Sequence, residues 1–265
     1  MYNFDYLRPA SLAEAMEAMK GEDAQAISGG QTLIPTLKAR LASPSVLVDL
    51  SGLAELKGVS REGDKLAIGA ATRHADVAGS EAVRSAIPAL AALAGNIGDP
   101  AVRNRGTVGG SLANNDPAAC YPSAALALGA TIHTSAGRAI AADDFFLGMF
   151  ETALEEGELV TRVDFPIPTA ANYQKFEQPA SRFALVGVFV ARFAGGARVA
   201  ITGACESGVS RWEAAEAALS SDFSAGAVTG MAFPADALIG DIHGTPAYRA
   251  NLIGVLTRRA VQACG

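Results

Sequence analysis

The chain has 265 residues, of which 50% are hydrophobic and 18% charged, a balance that builds folded cores and leaves disorder no dominant share. A formal net charge of -6 and a pI near 5.1, with Lys and Arg scattered along the chain, exclude a basic surface that tracks phosphate backbones, so nucleic acid is not an expected partner. The first twenty residues lack the basic start and apolar core of an export signal, and the longest apolar runs are about half the roughly 20 residues a membrane helix needs. The expectation is a cytoplasmic protein without a transmembrane segment.

Read in chain order, "SLAEAMEAMK" predicts a helix over about 11–20, because Ser11 and Glu14 have capping-box spacing and Leu12, Ala15, Met16 and Met19 recur at helical intervals. "AQAI" reads as a short strand that runs into Gly29-Gly30. Leu33, Ile34, Leu37 and Leu41 then share one helical face, with Pro35 in the first turn, and "SVLVDL" reads as a buried strand. "KLAIGAATR" predicts another strand, and "SEAVRSAIPALAALAG" a helix bent at Pro88, where a backbone donor is missing.

Residues 95–122 are dense in Gly, Asn, Asp and Pro and read as a largely irregular segment of about 28 residues, long enough to suggest a functional loop. "SAALALGATIHT" gives a helix end and a strand, "DDFFLGMF" a packed loop, and "ELVTRVDFPIP" a strand closed by two prolines. The Pro-rich stretch 165–173 marks the expected domain boundary. Beyond it, "YQKFEQ", "FALVGVFVARF" and "ARVAITGAC" read as successive strands with a turn at 194–197. Two helices follow, one capped by Ser210 with Glu213, the other by Thr245 with Pro246 at its first position. The fold class is α+β: residues 1–170 as two α/β subdomains (about 1–57 and 58–170), then a smaller C-terminal α+β domain, 171–265, with an antiparallel sheet and helices.

Cys120, Cys205 and Cys264 lie far apart, as do His74, His133 and His243, so neither a disulfide framework nor a metal site is expected, and no nucleophile constellation stands out. The two glycine pairs have similar settings. "ISGGQT" and "GTVGGSL" each join bare backbone to hydroxyl residues, a combination that offers N–H groups to phosphate oxygens and equally serves a tight turn. Neither stretch matches GxGxxG or GxxxxGK[ST]. "ANNDP" offers groups for ribityl or ribose hydroxyls, or simply a turn with Asp116-Pro117 opening a helix.

In combination these stretches are specific. "SGGQTLIP" at 28–35, followed some 70 residues later by "NRGTVGGSLANNDPAACYPSAALALGA", resembles the FAD-binding medium subunits of molybdenum hydroxylases, the group of carbon monoxide dehydrogenase and xanthine dehydrogenase. The likeness runs from "FDYLRPASLAEA" to "YRANLIGVLTRRAV". It implies a vanillyl-alcohol-oxidase-type (PCMH-type) FAD fold with FAD as cofactor, no catalytic residue and no metal ligand in this chain.

By the same likeness, Ser28, Gly29, Gly30, Gln31, Thr32 and Leu33, with Thr107, Val108, Gly109, Gly110 and Ser111, are expected to hold the FAD diphosphate. Asn115 and Asp116 are expected to face its ribityl and diphosphate region. Leu159 and Val160 would line the flavin pocket, with Lys175 and Phe183 near the isoalloxazine ring. Where family members commonly carry an aspartate, this chain has Cys120, a poorer hydrogen-bond acceptor.

The implied partners are an iron–sulfur small subunit with [2Fe-2S] clusters and a molybdopterin-binding large subunit, in a dimer of heterotrimers. The acceptor would be a quinone or NAD, and the complex cytoplasmic or peripheral at the inner face of the membrane. A stand-alone flavin oxidase of the same fold and a non-flavin scaffold or assembly protein are the alternative readings.

Overall fold

A computed structural model describes residues 1–264. Three sheets follow one another along the chain. The first is parallel and small, with Val46–Asp49 between Asp5–Leu7 and Ala24–Ile27. The helix Leu12–Ala18 connects its first two strands in sequence; Ser11 Oγ accepts from Glu14 N, and Glu14 Oε2 accepts from Ala10 N. The reciprocal bonds satisfy donors that a helix start leaves free.

The second sheet has five antiparallel strands in the order Val59–Glu62, Lys65–Gly69, Val160–Pro166, Thr131–Thr134, Ala139–Ala141. Its core is filled by Phe165 from the sheet itself and by Ile87, Leu90, Leu93, Leu112 and Tyr121 from the helical layer stacked on it, all fully buried. The apolar segment ahead of residue 95 is not one bent helix. Ile87 leaves helical geometry (φ -139°, ψ 75°) between Glu81–Ala86 and Pro88–Gly95, because Pro88 both lacks a donor and pushes its predecessor out of the α region.

Residues 95–122 are also more regular than their composition suggests. They hold the turn Pro100–Arg103, the helix Val108–Asn114 and the start of Cys120–Leu128. Asp99 Oδ1 accepts from Val102 N and Thr107 Oγ1 from Gly110 N, so the polar residues that break the apolar pattern are the caps that start these helices. "DDFFLGMF" likewise resolves into the short helix Ala142–Phe145 and a hairpin of Phe146–Gly148 with Glu151–Thr152.

The third sheet is an antiparallel meander of Ala170–Glu177, Ala184–Phe193, Gly196–Cys205 and Gly208–Arg211. Ala184–Ala191, the buried part of the strand, is apolar throughout because both its faces are covered. Phe189 and Ala191 enter the core shared with the second sheet, while Val186, Val188 and Val190 pack under the C-terminal helices Glu213–Ser221 and Pro246–Gln262. Ser210 does not cap the first of these helices. It lies in the last strand, paired with Ile201, and the helix starts at Glu213 with Trp212 as its N-cap. Glu216 is turned back to accept from Val199 N and from Arg211.

Phe189 sits where the second and third sheets share a core, so Phe189→Ala should cost about 3 kcal/mol by the usual range for emptied core sites. A urea titration followed by circular dichroism would read this as a lower midpoint.

Candidate functional site

The Gly-Gly turn after Ala24–Ile27 and the loop before Val108–Asn114 meet face to face. A Cβ on Gly29 would lie 2.3 Å from the Arg105 carbonyl oxygen and 2.7 Å from Gly106 Cα, and Ser28 Oγ and Thr107 Oγ1 share a hydrogen bond of 3.1 Å. Gly29 is therefore bare to admit the second loop rather than a ligand. Gly109 is likewise packed, 2.5 Å from Ala70 Cβ if it carried one of its own. Gly30 is different: its φ of +70° turns the chain in a conformation glycine adopts at little cost.

Between the joined loops and the second sheet lies a cavity of about 540 Å³, within the range of small-molecule sites. One wall carries Ser28, Gly29, Gly30, Gln31, Thr32 and Leu33, and the facing one Thr107, Gly109, Gly110, Ser111, Asn114 and Asp116. Leu159 and Val160 close one side; Ile97, Cys120, Arg182 and Phe183 line another part. Among the described residues, the backbone N–H groups of Gly29, Gly30, Gln31 and Thr32 have no acceptor. Such a run of free amides beside hydroxyls is a ready cradle for an anion such as a diphosphate.

Residues 2–168 match the model for the FAD binding domain in molybdopterin dehydrogenase. The carbon monoxide dehydrogenase medium chain of Afipia carboxidovorans is 33% identical over 276 residues, covering 98% of this chain and 96% of its own. The chain belongs to the FAD-binding medium subunits of the molybdenum hydroxylases. The nicotine 6-hydroxylase medium subunit of Paenarthrobacter nicotinovorans is 34% identical over 273 residues, with 98% and 96% covered. Among solved structures, quinoline 2-oxidoreductase from Pseudomonas putida 86 superposes with a TM-score of 0.89 at 33% identity, covering 99% of this chain and 97% of that one.

FAD is the cofactor of this family, and the free amides, hydroxyls and apolar flanks of the cavity suit its charged middle and flat ring. Three of the residues the resemblance names lie outside the cavity wall. Val108 is fully buried, its N–H spent on the Thr72 carbonyl, so it packs beneath the loop. Asn115 ends its helix in the left-handed region (φ 41°), and its Nδ2 donates to the carbonyls of Gly148 and Glu151 at 2.7 and 2.9 Å. It anchors the 146–152 hairpin instead of facing a ribityl chain, and its neighbours Asn114 and Asp116 take the wall positions. Lys175 stands behind the wall, its side chain wholly buried, with Nζ donating to the Asn96 and Arg182 carbonyls.

Sequence reasoning gave His74, Ile97 and Arg182 no site role and took Asn114 only as part of the "ANNDP" run, yet all four line the cavity of this FAD-binding subunit. Asn114 was within reach. Once Val108–Asn114 is seen as a helix, Asn114 falls three and four residues from Ser111 and Gly110, on their face. His74 carries no motif, and its nearness to the cavity comes from its backbone bond to the Gly106 carbonyl.

Three titratable groups of the wall, His74, Cys120 and Glu158, are shifted away from neutral pH. Burial, assisted by Arg103, lowers the His74 pKa to about 4, so the ring is neutral at pH 7, and its Nδ1 has no partner among the described residues. Burial raises the Cys120 thiol above its ordinary range. Glu158 goes the other way: the hydrogen bond from Arg138, outweighing its partial burial, lowers its pKa to about 2.

Because the folded Glu158 pKa lies below the ordinary 4.5, its contribution to stability is present above pH 4.5 and is lost as the pH falls toward 2. Thermal melts of Glu158→Gln should therefore show a flatter acid limb over that window than the parent chain. Gly29→Ala should force the two loops apart, lowering stability by about 1–3 kcal/mol as overpacking does. Melting temperature and FAD titration should register the loss together, since both depend on the same junction.

Proposed function

We propose that this chain is the electron-relay subunit of a molybdenum hydroxylase. FAD held in the cavity between the glycine loops would supply the electron transfer, from [2Fe-2S] clusters of a small subunit to a quinone or NAD. Substrate oxidation belongs to a molybdopterin centre in a large subunit, the three chains forming a dimer of heterotrimers at the cytoplasmic side. The names of the relatives, medium chains or subunits of carbon monoxide dehydrogenase and nicotine 6-hydroxylase, support a place in such a complex.

The observation that carries this reading is the run of free N–H groups at Gly29, Gly30, Gln31 and Thr32, set across one cavity from Thr107 and Ser111. These groups would hold the FAD diphosphate, Asn114 and Asp116 its polar chain, and Leu159, Val160 and Phe183 the ring. Bound FAD supplies the chemistry, taking up electrons and giving them on, while the protein orients it and tunes its potential. The chain's own part is to grip the diphosphate with neutral donors, to exclude water with the apolar flank, and to leave Phe183, which is half exposed, at the edge.

Adding the reducing substrate to a reconstituted complex should bleach the flavin absorbance only when the iron–sulfur subunit is present. Bleaching without that subunit would refute the relay. In the isolated chain, Ser111→Tyr fills the cavity from a part-exposed position on the helix Val108–Asn114, and equilibrium titration should show FAD affinity reduced at least tenfold with the melting temperature little changed.

A further inference from the structure

Lys175 is a buried cation without a close counter-ion. It lies on Ala170–Glu177 opposite Gly187, and its side chain has no exposed surface. Nζ donates to the Asn96 carbonyl at 2.5 Å and the Arg182 carbonyl at 3.0 Å, and it stands 3.9 Å from Cys120 Sγ. Among the described residues the one carboxylate within ion-pair reach is Glu177, at 4.0 Å and about one-third exposed, where solvent screens it.

The three groups that hold the ammonium all belong to the cavity wall or adjoin it. Cys120 and Arg182 line the cavity directly, and Asn96 precedes the lining pair Ile97 and Gly98. The charge therefore sits immediately behind the part of the wall formed by Ile97, Cys120, Arg182 and Phe183. Taking an ammonium out of water costs several kcal/mol unless a negative group compensates it, and neutral carbonyls compensate it only in part. Burial keeps Cys120 as the neutral thiol, so it does not cancel the charge, and the Tyr173 hydroxyl nearby is buried without a hydrogen-bond partner. The field of the ammonium, offset only in part by the screened Glu177 carboxylate, reaches the cavity past the Cys120 sulfur.

We propose that Lys175 is a positioning residue for charge: through the Cys120 thiol it favours the negatively charged reduced flavin over the neutral oxidised one, and so raises the reduction potential of the bound FAD. The inference rests on the placement of FAD in this cavity. The couple concerned is FAD plus two electrons and one proton giving FADH⁻, which gains one negative charge, with both electrons coming from the reductant. A nearby cation stabilises that product more than the starting form.

The test is the midpoint potential of the full-length, FAD-loaded chain, measured against redox dyes during stepwise dithionite reduction. Lys175→Met should lower the potential by at least about 30 mV, a tenfold loss of preference for the reduced over the oxidised two-electron form. Lys175→Arg, which keeps the charge, should stay near the parent value. Should the methionine variant fail to fold, Cys120→Asp decides: a carboxylate set against the ammonium should also lower the potential by a comparable amount. Yellow Lys175→Met protein with an unchanged potential would overturn the inference while leaving the FAD site intact, as would a Cys120→Asp potential equal to or above the parent's. A parent chain that takes up no FAD would overturn the proposed function, and this inference with it.

Discussion

The structure depends on one close contact, that of Gly29 with the Arg105–Gly106 backbone. Nothing larger than hydrogen fits between them, since an added Cβ would stand 2.3 Å from a carbonyl oxygen. The contact brings the turn of the parallel sheet to the start of Val108–Asn114, and the shared bond of Ser28 and Thr107 fixes their register. A cavity results because the two loops touch at Gly29 and diverge on either side. The four free amides from Gly29 to Thr32 line it because Gly30, at φ +70°, turns the chain away from a strand partner before Leu33–Lys38 begins. The paired glycines thus divide the work: the first admits protein and the second gives the turn that leaves donors free.

The third sheet supports the same cavity from below. Thr202, fully buried, donates from its hydroxyl toward the Pro117 and Ala119 carbonyls at 2.9 and 2.6 Å, and Gly203 N donates to the Pro117 carbonyl at 2.7 Å. These bonds hold residues 117–120, of which Ala118, Ala119 and Cys120 line the cavity. Arg198 reaches the Leu126 carbonyl from the same strand and pairs with Asp143. Buried bonds of this kind cost most when half broken, so the strand Gly196–Cys205 fixes the wall as firmly as the helices do. The two-faced strand beside it, with Phe189 on one side and Val188 on the other, transmits the packing of the C-terminal helices to that wall.

Local signals in the sequence carried the elements with their own caps. Ser11 with Glu14 and Thr245 with Pro246 mark helix starts that the structure keeps, because capping needs only neighbouring residues. Ser210 has the same signature and fails, since pairing with Ile201 in the sheet outweighs a cap worth about 1 kcal/mol. Residues 95–122 looked irregular because their helices are short and start on Asp99 and Thr107, residues that composition counts as loop formers. At the site, motif and resemblance pointed to the residues next to the glycine pairs, and the fold brings these to one cavity. Asn115 and Lys175 stand outside the wall for a reason the sequence does not carry: they bond to Gly148 and Glu151, and to Asn96 and Arg182, and no local pattern says which way a polar side chain points.

The electrostatics of the cavity show a consistent economy. Each wall group able to attack, or to exchange a proton near neutral pH, is committed elsewhere or held in its neutral form: His74 by burial, Cys120 by burial, and Glu158 by Arg138. The rest of the lining is mostly backbone N–H, hydroxyl and apolar surface, together with Asp116 and Arg182, and the charge of Lys175 stands behind Cys120. Such a lining binds and polarises without reacting. It suits a chain whose cofactor does the redox chemistry, because a reactive thiol or imidazole beside an electron carrier would offer electrons and protons an unproductive exit. The quiet wall and the weakly paired cation behind it fit one arrangement, in which the protein would act on a bound group through its field rather than through bonds.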